Sequence, residues 1–122
     1  AYNASPFFLF YQDELESLFT HPSENLIQHN DRILKSILGL LNIRADYQYT
    51  KSFEKHPAAA RDLRNQISPK KNINTELPEY AQVFSEKFGF IQNLSILDLL
   101  FNMGPESTAY LKTIAEKDLY LG

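Results

Sequence analysis

The chain has 122 residues, a formal net charge of -3 and a sequence pI near 5.6, which suits one compact domain. Its 43% hydrophobic and 13% aromatic content can build a core, so a disordered chain is excluded. Twelve basic residues are scattered among fifteen acidic ones, so no basic stripe marks a nucleic-acid partner, and no apolar run nears the roughly eighteen residues of a membrane span.

The absence of cysteine removes disulfides, thiolate nucleophiles and cysteine-based zinc sites. His21, His29 and His56 stand far apart, with no HExxH or HxH spacing, so no metal or other cofactor is expected. Ala1 leads almost directly to Phe7, Phe8, Phe10 and Tyr11, without the basic segment and long apolar stretch of a signal peptide. A signal-free, cysteine-free chain points to the cytoplasm. A chain that opens on core-type residues also suggests the C-terminal part of a longer protein.

Ser5-Pro6 reads as a helix start, with Ser as N-cap and Pro at the first helical position. Phe7, Phe8, Tyr11, Leu15, Leu18 and Phe19 follow at helical spacing, opposite Asp13, Glu14 and Glu16. Ser23 can cap a second helix, in which Leu26, Ile27, Ile33, Leu34, Ile37, Leu38 and Leu41 trace one apolar face. Gly39 costs that helix about 1 kcal/mol relative to Ala, and either marks its end or admits another backbone. Over 43–50 the period changes to two: Ile43, Ala45, Tyr47 and Tyr49 alternate with Arg44, Asp46, Gln48 and Thr50. This predicts one short, half-buried strand, which needs a partner elsewhere in the chain, in a second copy or in another segment.

A short helix is expected over 56–66, followed by a turn or loop at Ser68, Pro69, Lys70 and Lys71. Pro78 opens a helix with Tyr80, Val83 and Phe84 inward, ended by Gly89. Ser95 and Asp98 have the spacing of a capping box, and the run from Ile96 to Met103 is apolar on nearly every side, as in a central buried helix. Gly104 is placed for a left-handed cap, and Pro105 starts a last helix with Tyr110, Leu111 and Ile114 inward. The fold expected is therefore mainly α: a single domain over 1–122, with four to five helices around the buried helix at about 95–103 and one short strand at about 43–50.

Four blocks of sequence together resemble a known family. They are Ala1-Tyr2 with Ser5-Pro6-Phe7-Phe8; Asp62-Leu63-Arg64 with Ile67-Ser68-Pro69-Lys70-Lys71; Tyr80, Gln82-Val83-Phe84 and Gly89-Phe90-Ile91; and the stretch 93–106, NLSILDLLFNMGPE. In content and order they resemble the C-terminal part of the WbqC-like proteins. That resemblance implies bacterial surface-polysaccharide biosynthesis of the O-antigen type, with an N-terminal half as the chain's first partner. It does not imply a reaction, and whether the protein is an enzyme stays open.

Among candidate residues, Ser95 and Asp98 read as helix-capping partners, since no histidine stands near to activate a hydroxyl. A buried Asp98 needs a partner of its own, and Arg64 or Arg61 could supply it. Asn102 and Gly104 read as structural, turn or cap residues. Asp62, Arg64, Lys70 and Lys71 concentrate charge in one loop and could hold the phosphate of a nucleotide sugar or of an acyl-carrier phosphopantetheine. The bland alternative is a structural Asp–Arg bridge tying the loop to Ser95–Asp98, with solvated lysines. Beside a structural or substrate-positioning helical part of a surface-polysaccharide protein and this phosphate-binding module, a protein–protein scaffold is the third functional class. The unpaired strand with the Phe7–Tyr11 face suggests self-association.

Overall fold

The computed structural model describes residues 2–21, 24–58, 60–64 and 76–116. Within them the chain forms helices α1 (Phe8–Thr20), α2 (Leu26–Leu40), the single turn α3 (Ser85–Phe88), α4 (Ile96–Met103) and α5 (Ser107–Glu116). Two 3-10 turns, Tyr2–Ala4 and Gly104–Glu106, precede α1 and α5.

The core is the meeting of α1 with α4. Tyr11, Leu15 and Leu18 share one helical stripe of α1 and are buried together with Leu41, Leu100 and Phe101. Leu100 is fully buried, which stabilises the fold by roughly 2 kcal/mol through removal of its side chain from water. Phe101 anchors the N-terminal segment twice. Its carbonyl accepts the Phe7 N–H at 2.9 Å, and its ring meets those of Tyr2 and Phe8 at centroid distances of 5.0 and 5.2 Å. These tilted and edge-on contacts suit the aromatic quadrupole.

Every residue of α4 from Asp98 to Asn102 is buried, as the all-round apolar run predicts. Gly104 then turns the chain with φ of +56°. A Cβ built there would lie 2.5 Å from the Phe7 ring, so a glycine is required both by the backbone and by the ring packed on it. Ser107, fully buried, donates its hydroxyl to the Leu99 carbonyl at 3.3 Å, and the Thr108 hydroxyl donates to the Leu41 carbonyl at 2.5 Å. Those two bonds fasten α5 to α4 and to the end of α2.

Helix α2 is the most strongly periodic segment, yet none of its residues is fully buried. Ile33, Ile37 and Leu40 pack against the core, while Leu26 and Ile27 stay largely exposed. Its link to α1 is partly polar: the Arg32 guanidinium donates to the Leu18 carbonyl at 2.8 Å and to the His21 carbonyl. A side chain of α2 thus satisfies carbonyls left open at the α1 C-terminus.

Several expectations are corrected. No strand forms among the described residues, and 43–50 carries no regular structure. The alternation there has the pattern of a strand, but a strand exists only with a partner to take its backbone hydrogen bonds, and 44–50 is exposed. Tyr47 instead reaches α2, donating to Asp31 at 3.3 Å. The unpaired edge expected as a route to self-association is therefore absent from the described residues.

Helix boundaries also move. Helix α1 starts at Phe8, and the Ser5 hydroxyl is buried without a protein partner. Helix α2 is capped by Asn25, whose side chain accepts the Gln28 N–H at 2.9 Å, whereas Ser23 lies outside the described residues. The described residues of 56–64 are not helical. Only Ser85–Phe88 of the expected Pro78 helix forms, ended by Gly89 at φ +70°. Gly39 has nothing within 4 Å of a built Cβ, so it marks the helix end and admits no other backbone.

Candidate functional site

Asp98 is 4% exposed, and a carboxylate in such a place must be hydrogen-bonded or neutralised. Its Oδ2 accepts the Tyr80 phenol at 2.5 Å and the Gln82 amide at 3.1 Å. The Asn102 amide, one turn further along α4, donates to the Asp98 backbone carbonyl at 2.8 Å and lies 3.4 Å from Oδ1. These three donors are all neutral.

The irregular segment before α3 is held in place by the same residues. Gln82 donates to the Ile91 carbonyl at 2.8 Å and accepts the Ile91 N–H at 3.0 Å, so its amide mimics a strand neighbour for Ile91 while also reaching Asp98. The Tyr80 ring stands edge-on to Phe90 and to Tyr110, and Tyr110 donates to the Pro78 carbonyl at 2.7 Å. Burial, followed by the bond to Asp98, pushes the Tyr80 phenol well above its ordinary range. Tyr2 is also raised, by burial first and by the Asp98 charge second. Both phenols therefore stay protonated at neutral pH, as donors.

Beside this network lies a cavity of about 160 Å³. Asp98, Gln82 and Tyr2 form its polar part, and Val83, Phe84, Ile91 and Leu94 its apolar part. Phe84, Ile91 and Leu94 are each close to half exposed, which leaves a mouth to solvent. A buried carboxylate, the protonated Tyr2 phenol and an apolar wall can bind and orient a small group that donates hydrogen bonds. Among the described residues no cluster of three or more His, Asp or Glu could hold a metal ion, and no helix is long and apolar enough to cross a membrane.

The sequence-derived site residues fall into separate places. Ser95 caps α4, its hydroxyl accepting the Leu97 N–H at 3.2 Å, but the Asp98 carboxylate turns to Tyr80 and Gln82. Arg64 is engaged elsewhere in the hydrogen-bond pattern. It forms a two-pronged pair with Asp62, Nε to Oδ1 at 2.9 Å and Nη2 to Oδ2 at 2.7 Å. The same Nη2 donates to the Glu54 carbonyl at 2.8 Å, and the guanidinium lies over the Phe53 ring. These bonds close the 53–64 loop on itself, and Arg64 hydrogen bonding holds Asp62 down at a pKa of about 2. Lys70 and Lys71 lie outside the described residues.

Sequence reasoning misses Tyr80, Gln82 and Tyr2 as neighbours of Asp98. Two signals bear on them. An Asp inside an all-apolar helix demands donors, and residues 80 and 82 are spaced to share one side of a non-helical segment.

A family model matches the chain over residues 1–77 and 66–110, that of the WbqC-like protein family. No curated protein and no solved structure matches it. The chain belongs to the WbqC-like protein family.

Proposed function

We propose that this WbqC-like chain is the helical, substrate-positioning part of a protein of surface-polysaccharide biosynthesis, and that the substrate sits in the cavity beside Asp98. The observation that carries this reading is a buried carboxylate at the wall of an otherwise apolar cavity. A cavity of about 160 Å³ is close to the engineered void of about 150 Å³ that holds one benzene. One six-membered ring therefore fits, as the sugar end of a nucleotide sugar would require. Asp98 would fix its orientation through hydrogen bonds, with Tyr2 and Phe84 flanking the ring. Tyr80, kept protonated by burial and its bond to Asp98, serves as a donor and holds the carboxylate in place. The bond-making groups come from the rest of a longer protein in this reading.

Calorimetric titration of the chain with a panel of nucleotide sugars tests it, with Ile91→Trp as the control. Ile91 holds Gln82 through its backbone alone, so a larger side chain fills the cavity without breaking the network. Binding to the native chain and its loss in Ile91→Trp are expected. Failure of every nucleotide sugar to bind, or equal binding by Ile91→Trp, removes the proposal.

A second reading gives a phosphate, from a nucleotide sugar or a carrier phosphopantetheine, to the 62–71 loop. It is favoured by the Arg64 side chain, which is 46% exposed despite its pair with Asp62. Competition by inorganic phosphate, weakened in Lys70→Ala, would support it. Nucleotide-sugar binding indifferent to phosphate would count against it.

A further inference from the structure

The Asp98 carboxylate is buried, and the groups hydrogen-bonded to it among the described residues, Tyr80, Gln82, Asn102 and the Tyr2 phenol, carry no charge. Buried charges in proteins are ordinarily paired with an opposite charge, because desolvation of a lone ion costs several kcal/mol. The bonding is also uneven. Oδ2 takes the Tyr80 and Gln82 donors at 2.5 and 3.1 Å, whereas the Asn102 contact to Oδ1 is long, at 3.4 Å. The carboxylate with this loosely held oxygen belongs to a residue that lines the cavity. Aromatic residues Tyr2 and Phe84 share the wall, and ring faces attract cations in dry surroundings.

We infer that the group bound beside Asp98 is a protonated amine, carried on a ring-sized and largely apolar body. The ammonium forms the ion pair that Asp98 otherwise lacks among the described residues. The hydrocarbon or deoxygenated part of the ligand lies against Val83, Ile91 and Leu94. An uncharged ring of the same shape would fit the walls but leave the carboxylate uncompensated. This rests on the cavity being the binding place, and it goes further by naming the chemical class of the ligand.

Cyclohexylamine and cyclohexanol are the probes, being matched in size and differing in charge. Binding of each to the chain is measured at neutral pH by ligand-observed NMR, alongside Ile91→Trp and Asp98→Asn. Cyclohexylamine is expected to bind about tenfold or more tightly than cyclohexanol, as a charge-assisted hydrogen bond would give. Ile91→Trp should lose both ligands, and Asp98→Asn should bind the two equally. If Asp98→Asn does not fold, the native chain and Ile91→Trp still decide the matter. Equal binding of amine and alcohol by the native chain overturns the amine assignment and leaves the cavity as a binding site. Binding of nucleotide sugars without any response to cyclohexylamine also sinks the amine alone, because the site then takes its ligand without a cation. Binding of neither the probes nor any nucleotide sugar removes both.

Discussion

The Tyr80 phenol donates to the Asp98 carboxylate at 2.5 Å, joining an irregular segment to the most buried helix among the described residues. Tyr80→Phe keeps the ring contacts with Phe90 and Tyr110 but removes one donor from a buried anion. A hydrogen bond to a charged group contributes roughly 1.5–3 kcal/mol, so the variant should lose about 2 kcal/mol in urea denaturation. A loss under about 0.5 kcal/mol would mean that the carboxylate finds another donor, and that the contact does not organise the segment.

The same residue sets an alkaline limit. Tyr80, Tyr2 and Tyr110 all have phenols raised above the ordinary value of 10.0, burial being the first cause in each. A raised folded-state pKa favours the protonated, neutral form in the native chain. The stability it contributes is therefore complete below pH 10 and is lost as pH rises above it. Thermal midpoints should fall steeply above pH 10 in the native chain and less steeply in Tyr80→Phe. Parallel curves would assign the alkaline limit to other groups.

The two glycines that bracket the helical core separate backbone demand from propensity. At Gly104, φ is +56° and a Cβ would meet the Phe7 ring at 2.5 Å, so Gly104→Ala combines backbone strain with a clash and should cost about 3 kcal/mol. At Gly39, nothing lies within 4 Å and the residue is helical, so Gly39→Ala should stabilise by roughly 0.5–1 kcal/mol. Chemical denaturation of both variants checks the pair, and equal effects would contradict the difference in their surroundings.

The contrast between those glycines also shows what is legible in the sequence. Gly104 after an apolar run, and Gly89 after α3, are readable as helix ends because positive φ has few other occupants. The stripe of Tyr11, Leu15 and Leu18 is equally plain, since helical spacing is a local property. What fails is every inference that needs a partner distant in sequence. The alternation over 43–50 meets the pattern of a strand but not the requirement for a neighbour. Asp98 is legible as a residue in need of donors, but Tyr80 and Gln82 lie 18 and 16 positions earlier, in a stretch whose Pro78 start predicts a helix. A helix there would turn residues 80 and 82 to different sides. Arg64 is an attractive partner by charge alone, yet its nearest acceptor in sequence, Asp62, already holds it.

That local pair gives an acid-range test. The Asp62 carboxyl is held at about 2, below the ordinary 3.8, first by the Arg64 side-chain hydrogen bonds and next by the Arg64 backbone N–H. A depressed folded-state pKa contributes stability above 3.8 that is lost as pH falls toward about 2. Carboxyl-carbon NMR should place the Asp62 midpoint near 2 in the native chain. In Arg64→Gln it should move back up toward 3.8, without reaching it if the residue 64 backbone N–H keeps its 3.1 Å bond. An unchanged midpoint would show that the pair is not formed in solution.

Replacement of Gln82 by glutamate puts the largest demand on the site. Gln82 donates to both Asp98 and the Ile91 carbonyl through one amide nitrogen, and a glutamate offers no hydrogen there unless protonated. Two carboxylates about 3 Å apart cannot both ionise cheaply, so the introduced carboxyl and Asp98 would share a proton held well above the ordinary carboxyl range. The sign of the pH dependence follows. A carboxyl whose folded pKa is raised contributes stability that is present below its unfolded value of about 4.3 and lost as pH rises. Gln82→Glu should therefore be markedly less stable than the native chain at pH 7, and should recover much of the difference near pH 4. Thermal midpoints measured from pH 4 to pH 8 decide it. A variant that tracks the native chain across that range would place residue 82 in solvent, away from Asp98, and would take the wall of the cavity with it.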